Sequence, residues 1–235
     1  MSSPSALFAP EGDSLSAAPV TISALRASPR RPGRYAVTLS NGESLVLGIA
    51  AFADSGAVRV GIVLDANLLE RLLRESTITA LADRALGFLA RGRRTRRELE
   101  QRLRRHEQNS ELIAAALDRL EASGLLSDRA VALSEASARL RRGEAPARVK
   151  GTLRRKGIAD RDASDAVAQA IRDDGFDELA ACRIAAEKRM RTLGKLDPAV
   201  ARRRLTAFLA RRGFGGSVLR SIIDEQFRRG GTCKQ

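Results

Sequence analysis

The segment Leu99-Glu-Gln-Arg-Leu103 places two leucines one helical turn apart, and this spacing decides the fold of the last two-thirds of the chain. Two later segments repeat the i, i+4 apolar pair at offsets of 50 and 56 residues, as Val149/Leu153 and Leu205/Leu209. Apolar residues at this spacing form one buried face of an α-helix. The chain therefore predicts three related helices, which we call the middle helices of copies one, two and three.

A second landmark recurs in step with the first. A glycine follows the third helix of each copy, at Gly124, Gly175 and Gly231, with offsets of 51 and 56 residues. Two independent landmarks that keep the same spacing indicate an internal repeat. We therefore predict a mainly α fold of three tandem three-helix repeats, preceded by a small extension that contains a β-hairpin. The predicted boundaries are 1–19 for a disordered leader, 20–77 for the extension, and 78–127, 128–177 and 178–235 for the repeats.

The hairpin of the extension is predicted around Asn41-Gly42. Strand-like residues 34–40 and 43–47 flank this dipeptide, which is typical of a two-residue type I′ turn. Residues 58–64 are a candidate third strand. Asp65 is then expected to cap a short helix over residues 66–74.

Cap and stop residues divide the repeats into helices. Copy one is expected to begin with a helix over residues 80–91, and Thr95 with Glu98 forms a capping box at the start of its middle helix. Gly157 is predicted to end the middle helix of copy two, in the position after the last helical residue where glycine is common. Asp197, followed by proline, is a strong start signal for the middle helix of copy three.

Positive charge is concentrated in the repeats. The chain carries a formal net charge of +14, from 42 lysines and arginines against 28 acidic residues. Residues 1–75 contain seven basic and seven acidic residues, so the whole excess lies in residues 76–235. Such a field attracts polyanions or acidic protein grooves. The alternative is an arginine-rich composition that only keeps the helices solvated.

The basic residues of the middle helices are the predicted partner-binding surface. Three of them, Arg105, Arg155 and Arg211, share one repeat register, two residues after the second apolar residue of each pair. Repetition at module spacing favours contact with a filament or with DNA, and ordinary solvated helix faces remain the alternative. The full predicted set is Arg94, Arg97, Arg104, Arg105, Arg148, Lys150, Arg154, Arg155, Lys156, Arg203, Arg211 and Arg212.

No catalytic, metal or cofactor site is predicted. His106 is the only histidine, and Cys182 lies in an apolar helical stretch, which indicates a core residue. Acidic residues 173–178 could in principle bind Mg²⁺, but solvation of the loop after a helix explains them without such a role and is favoured. The glycines of residues 213–216 lack the Lys-Ser/Thr of a phosphate-binding loop and indicate a helix stop. With no apolar run long enough to cross a membrane, the cytoplasm is expected.

Residues 85–158 resemble the RecX family of regulators of the RecA recombinase. The resemblance rests on four motifs in order, at residues 85–91, 94–99, 120–128 and 139–158: Ala-Leu-Gly-Phe-Leu-Ala-Arg, Arg-Thr-Arg-Arg-Glu-Leu, Leu-Glu-Ala-Ser-Gly-Leu-Leu-Ser-Asp, and an Arg-x3-Gly that leads to Leu-Arg-Arg-Lys-Gly-Ile. Two departures stand out: Val131-Ala132 replaces a Phe-Ala pair, and His106-Glu107 replaces the Lys-Gly that usually ends the middle helix of copy one.

The resemblance implies an elongated, curved array of three-helix modules that regulates RecA without being an enzyme. Members of the family are thought to lie in the groove of the RecA–DNA filament, where they suppress ATP hydrolysis and strand exchange. The implied role is modulation of recombinational DNA repair and the SOS response. The expected partners are the RecA filament and single- or double-stranded DNA without sequence specificity, bound by a monomer, with no membrane and no cofactor.

A DNA-binding or architectural protein is the alternative, because the charge alone would attract duplex DNA. It would bind DNA in the absence of RecA and with a steep dependence on salt. An enzyme acting on nucleic acid is the third hypothesis, which the missing acid–base and metal residues disfavour.

Overall fold

The hairpin residues and the apolar helix repeats both form the elements expected of them. The structure is a computed structural model, and it describes residues 19–29, 31–49 and 58–229. The predicted leader therefore lies almost wholly outside the described residues, as does Gly231. The chain divides into two units, Met1–Ala80 and Leu81–Gln235.

The first unit contains a three-stranded antiparallel sheet. Strand β1 spans Ile22–Ala27, β2 spans Arg34–Leu39 and β3 spans Ser44–Gly48, in the order β1-β2-β3. Because side chains alternate along a strand, Val37 and its partner Leu45 point to one face, where both are buried. This face forms a core with residues that follow the sheet in sequence, among them Leu64 and Leu72.

The hairpin is where the sequence predicts it, but its turn is of another type. A type I′ turn needs positive φ at both central residues, and every described residue with positive φ is a glycine. Gly42 (φ +88°) donates to the Leu39 carbonyl at 3.0 Å, and the Leu39 N–H donates to the Glu43 carbonyl at 2.8 Å. This is a type I turn followed by a left-handed glycine. The Asn41 side chain supports it by accepting from the Glu43 N–H at 3.1 Å.

The strand that joins the hairpin in the sheet is β1. Residues 58–64, the predicted candidate, do not form a strand. That later segment turns at Gly61 (φ +86°) and contributes one isolated bridge, between Thr21 and Val63. Its Leu64 N–H still donates to the Val20 carbonyl at 2.8 Å. The turn interrupts the ladder, so the segment runs beside the start of β1 without forming a strand.

One long helix replaces the two short helices predicted at residues 66–74 and 80–91. Helix α1 spans Ala66–Leu89 without a break. Its first turn is capped by Asp65, whose carboxylate accepts from the Leu68 N–H at 2.7 Å. Residues 75–79 contain no glycine or proline, and Thr77 donates to the Leu73 carbonyl, so nothing ends the helix there. The helix crosses the predicted boundary at residue 77, and the division into three repeats stays a prediction.

Eight further helices follow within the described residues, in the order the repeat predicts. Helices α2, α5 and α8 are the middle helices, and each is followed by the third helix of its copy. Their bounds are α2 Arg96–Leu103, α3 Ser110–Ala122, α4 Asp128–Arg141, α5 Pro146–Arg155, α6 Asp160–Asp174, α7 Glu178–Leu193, α8 Pro198–Arg211 and α9 Gly216–Arg229. No helix within the described residues is long and apolar enough to cross a bilayer.

The apolar pairs that define the repeat form its core. All six side chains of the three pairs have 0% exposure. In copies two and three they pack with mostly small residues, such as Ala136 and Ala163 in copy two and Ala186 and Ala201 in copy three. Small side chains let the helices approach closely, which suits a chain with only 3% aromatic residues.

The predicted helix signals are confirmed in detail. Thr95 and Glu98 form the reciprocal capping box, and the Asp197 carboxylate caps α8 with proline in the first helical position. Gly175 ends α6 in the left-handed conformation (φ 60°). These residues fix the helix ends by satisfying backbone groups that have no partner within the helix.

We predict that the thiol of Cys182 is inert in the folded protein. Burial, with a smaller contribution from the charge of Glu178, raises its pKa to about 11. In a Cys233→Ser variant, reaction with an aromatic disulfide reagent at about pH 8 should be more than about a hundredfold slower than in urea, because so little thiolate is present. Fast reaction of the native variant would contradict the packing of α7.

Candidate partner-binding surface on the middle helices

The three arginines in common register lie on the exposed side of the middle-helix ends. Arg105, Arg155 and Arg211 each follow a fully buried leucine by two residues, at Leu103, Leu153 and Leu209. All three arginines are exposed, and none forms an ion pair with a residue that the structure describes. Arg155 donates only to the Thr152 hydroxyl, at 3.0 Å. Their charges are therefore free to meet an external anion.

Several other residues of the predicted surface already have acidic partners. Arg104 pairs with Glu100 at 2.6 Å, one turn earlier on α2. Lys150 and Arg154 both approach Asp160, each at 3.3 Å. These pairs lie at the surface, where each stabilises the fold by about 1 kcal/mol or less. They reduce the net positive charge that a partner would meet.

Lys156 contacts Glu135 of α4, which also accepts a hydrogen bond from Arg139. The distances are 3.4 Å from the Lys156 ammonium and 2.7 Å from the Arg139 guanidinium. Burial alone would raise the pKa of Glu135, but the bond from Arg139 and the charge of Lys156 lower it overall. Glu135 therefore stays ionised and holds the end of α5 against α4.

Arg94, Arg203 and Arg212 differ from one another in environment. Arg94 is half-buried beside a shallow cleft of about 230 Å³ that Arg105 also lines, and its Nε has no hydrogen-bond partner among the described residues. Arg203 is exposed, with no ion pair to a described residue. Arg212 lies over the ring of Phe208, 5.2 Å from its centre.

The middle helices of copies one and two meet at a contact in which Gly157 is essential. Thr95, at the N-terminus of α2, donates its hydroxyl proton to the Lys156 carbonyl at 2.8 Å. The side-chain stem of Arg97 lies against Gly157, which ends α5 with φ +90°. A Cβ at Gly157 would lie 2.4 Å from Cδ and 2.6 Å from Cβ of Arg97. Only glycine permits both the backbone conformation and this approach.

The middle helices of copies two and three meet in the same way. The Arg148 guanidinium donates to the Arg211 carbonyl, and the Ala145 N–H donates to the Arg212 carbonyl at 3.4 Å. Gly213 also has φ +90°, and a Cβ there would lie 2.5 Å from the Cβ of Arg148. We call these two contacts the middle-helix junctions.

The junctions join the C-terminal end of one middle helix to the N-terminal end of the preceding one. Carbonyl groups at the end of α8 face the start of α5, and those at the end of α5 face the start of α2. The partial charges of the helix ends are opposite at each junction, which favours this arrangement. The basic residues at the end of one middle helix are thereby brought beside those at the start of the preceding one.

The sequence did not predict this role for Arg97 and Arg148. Both belong to the predicted partner-binding set, yet the structure uses their side chains inside the repeat array. The sequence feature that could have indicated these contacts is the glycine that follows the middle helix in copies two and three. Copy one lacks this glycine. Copy one is the first of the three, so no earlier copy packs on the end of α2, and His106-Glu107 is tolerated there.

Arg96, a further residue at the start of α2, lies outside the predicted set. Its backbone N–H donates to the Asp128 carboxylate at 2.7 Å, and its guanidinium binds Asp118 and Glu121 at 2.7 and 2.8 Å. Burial raises the pKa of Asp128, and the bond from Arg96 opposes that rise. Arg96 thus connects α2 with both α3 and the start of α4.

Two of the four acidic residues in the segment 173–178 have structural partners. Asp174 pairs with Arg141 at 3.5 Å, and Asp177 caps α7 by accepting from the Leu179 N–H at 2.8 Å. Burial raises the pKa of Glu178. Among the described residues, no group of three histidine, cysteine or acidic side chains is placed to hold a metal ion. His106 is exposed and lies 3.3 Å from the Arg84 guanidinium.

Comparison with known proteins places these repeats in one family. A family model for the first three-helix domain of RecX matches residues 83–120, and the model for its third three-helix domain matches residues 177–223. The regulatory protein RecX of Chlorobaculum tepidum is 35% identical over 150 residues, which cover 63% of this chain and 89% of the relative. The chain belongs to the RecX family. A second RecX, from Halorhodospira halophila, is 35% identical over 156 residues, or 64% of this chain and 92% of the relative.

Solved RecX structures have the same fold. A crystal structure of regulatory protein RecX superposes with a TM-score of 0.72, over 87% of this chain and 99% of that chain, at 22% identity. RecX from Lactobacillus salivarius gives a TM-score of 0.56 over 63% of this chain and 96% of that chain, at 25% identity. The matched relatives are named regulatory proteins, and the two family models match copies one and three, each with its middle helix.

We predict that Gly157→Ala and Gly213→Ala each lower the free energy of unfolding by about 2 to 4 kcal/mol, through left-handed strain and the clash with the arginine stem. Gly151→Ala is the matched control, since Gly151 lies inside α5 without positive φ and its Cβ would meet only Arg155 Nη1, at 3.9 Å. It should stabilise the helix by about 0.5 to 1 kcal/mol. Urea unfolding followed by circular dichroism measures all three, and equal effects of Gly151→Ala and Gly157→Ala would refute the junction.

Proposed function

We propose that this RecX-family chain binds the RecA recombinase–DNA filament and inhibits its ATPase and strand-exchange activities, without being an enzyme itself. Through this inhibition it modulates recombinational DNA repair and the SOS response. The observation that carries the proposal is the set of three exposed arginines without acidic partners, repeated in one register at the ends of the middle helices. The family membership supplies the partner.

A filament is a repetitive partner, and the chain offers a repetitive surface. Contacts of one kind that recur along a single chain add through effective concentration, so that weak contacts at each copy give stable binding together. The middle-helix junctions help because they fix one copy against the next, which reduces the entropy lost on binding. Scattered surface charges on independent modules would lack this advantage.

The twelve predicted residues differ in the positive charge that they can offer to a partner. Arg105, Arg155, Arg203 and Arg211 are exposed and form no ion pair with the described residues. The other members either pair with a carboxylate, stack on a ring, lie half-buried or hold a junction. We therefore propose that the four unpaired arginines make the main electrostatic contact and that the rest position or moderate it.

We predict that the wild-type chain inhibits the single-stranded-DNA-dependent ATPase of RecA at near-stoichiometric concentration. The triple variant Arg105→Glu, Arg155→Glu, Arg211→Glu should need about tenfold more protein or more, since a loss of about 1.4 kcal/mol in binding already gives a tenfold change. The measurement is the steady-state rate of ATP hydrolysis during titration, with far-UV circular dichroism to show that the helices persist.

The matched control changes the net charge equally at other sites. Arg129, Arg172 and Arg191 are exposed and form no ion pair with described residues, and none lies on a middle helix. Reversal of these three should leave inhibition within about twofold of wild type, because general attraction by net charge is screened at physiological salt. Equal loss in both triple variants would show that net charge, and not the register arginines, decides binding.

A sequence-independent DNA-binding or architectural role is the second candidate, favoured by the excess charge of residues 76–235. It requires tight binding of unrelated duplexes without RecA, with an affinity that falls steeply with salt. Fluorescence anisotropy with two duplexes of different sequence distinguishes the two roles. Strong duplex binding combined with an unchanged RecA ATPase would favour the architectural role. In either role we propose that the chain acts in the cytoplasm as a monomer.

A further inference from the structure

Copies two and three enclose a groove that the middle-helix surface does not explain. Its volume is about 560 Å³, and it lies where the ends of α4 and α6 meet the side of α7. We call its apolar lining residues the floor and its basic lining residues the rim, and Asp174 and Asp177 line it as well. The floor residues are Phe176, Ala180, Ala181 and Ile184, and the rim residues are Arg141, Arg142, Lys188 and Arg212.

Ile184 is a large apolar residue of the floor that is open to solvent. Its side chain is 67% exposed, although its neighbours Cys182 and Ala185 on α7 are buried in the core of copy three. Helix α7 is thus anchored by its other face and leaves a branched apolar side chain open to solvent. Covering such a side chain with another apolar group removes it from water, which favours binding by roughly tenfold.

The rim carries positive charge that the groove itself does not neutralise. Arg142 and Lys188 are exposed and form no ion pair with the described residues, and Arg212 only stacks on Phe208. Of the acidic residues at the groove, Asp174 pairs with Arg141 of the rim, and Asp177 caps α7, so neither pairs with the other three rim cations. A ligand that brings carboxylates to this rim would meet at least three available cations.

We propose that this groove binds an acidic segment of a partner protein that inserts one large apolar side chain beside Ile184. Carboxylates on either side of that residue would meet Arg142, Lys188 and Arg212. A nucleic-acid backbone could satisfy the cations, but it offers no aliphatic group for Ile184. The combination of an apolar floor and a cationic rim therefore fits a protein segment best.

This inference goes beyond the proposed function, because it neither requires RecA nor uses the register arginines. The probe is a fluorescein-labelled synthetic peptide of about twelve residues, composed of Asp, Glu and Ser with one central Leu. A second peptide has Ala in place of Leu, and a third has Gln in place of every acid. Anisotropy is measured with the full-length chain and no RecA, with a single-stranded oligonucleotide of equal charge as the comparison ligand.

We predict that the acidic Leu peptide binds at least about tenfold more tightly than either altered peptide, and that its affinity falls as salt is raised. Ile184→Ser should weaken the Leu peptide by about tenfold and leave the Ala peptide and the oligonucleotide unchanged. The double variant Arg142→Glu, Lys188→Glu should weaken it further. The matched controls are Leu125→Ser, an exposed leucine outside the groove, and Lys195→Glu, an exposed lysine without an ion pair to described residues.

Two outcomes would overturn the proposal. Equal affinity for the Leu and Ala peptides would show that the apolar floor is not a binding element. Loss of oligonucleotide binding in Ile184→Ser, with no change for the peptide, would make the groove a nucleic-acid surface. Because RecA is absent from this assay, failure of ATPase inhibition and failure of peptide binding are separate results. Urea unfolding of each variant confirms that the groove is still folded.

Discussion

The contact of an arginine stem with a left-handed glycine is the constraint on which the repeat array depends. At Gly157 and Gly213 the backbone turns out of a middle helix in a conformation that a side chain disfavours, and the space for that side chain is filled by the preceding copy. Both conditions must hold for the end of one middle helix to reach the start of another. The hydrogen bonds across the junctions, from Thr95 and Arg148, form only at that approach.

Local sequence signals predicted most of the fold. The apolar pairs, the Thr95 capping box, Asp197 and the hairpin at Asn41-Gly42 act within a few residues, so the sequence specifies them directly. The local signal did not fix the turn type of the hairpin, and two larger errors concern which segments continue or pair. Residues 58–64 have strand-like composition, yet β1 takes the third place in the sheet. Helix α1 continues through residues 75–79 because nothing in those residues stops it and Ile78 and Thr79 are buried there.

The candidate surface could be predicted only in part, because the sequence shows where cations are but not which are free. Arg104 and Arg105 are adjacent, and only Arg104 finds a carboxylate, which lies one turn earlier and is readable from the sequence. Lys156 pairs with Glu135, which lies on another helix, so this partner could not be identified from the sequence. The junction role of Arg148 could not be predicted either, because its contact with Arg211 joins residues that are 63 positions apart in the sequence.

The free charges fall into two groups that differ in what they can recognise. The register arginines lie at exposed helix ends and offer a partner only positive charge. They can therefore bind any extended anion and discriminate weakly between one anionic partner and another. The rim of the groove between copies two and three combines free charge with Ile184, and burial of an apolar side chain depends on shape as well as on charge. A regulator that met its partner only through arginines would be attracted equally to bare nucleic acid. An apolar contact inside a cationic rim gives the same chain a means to prefer protein, because no phosphate backbone can cover it.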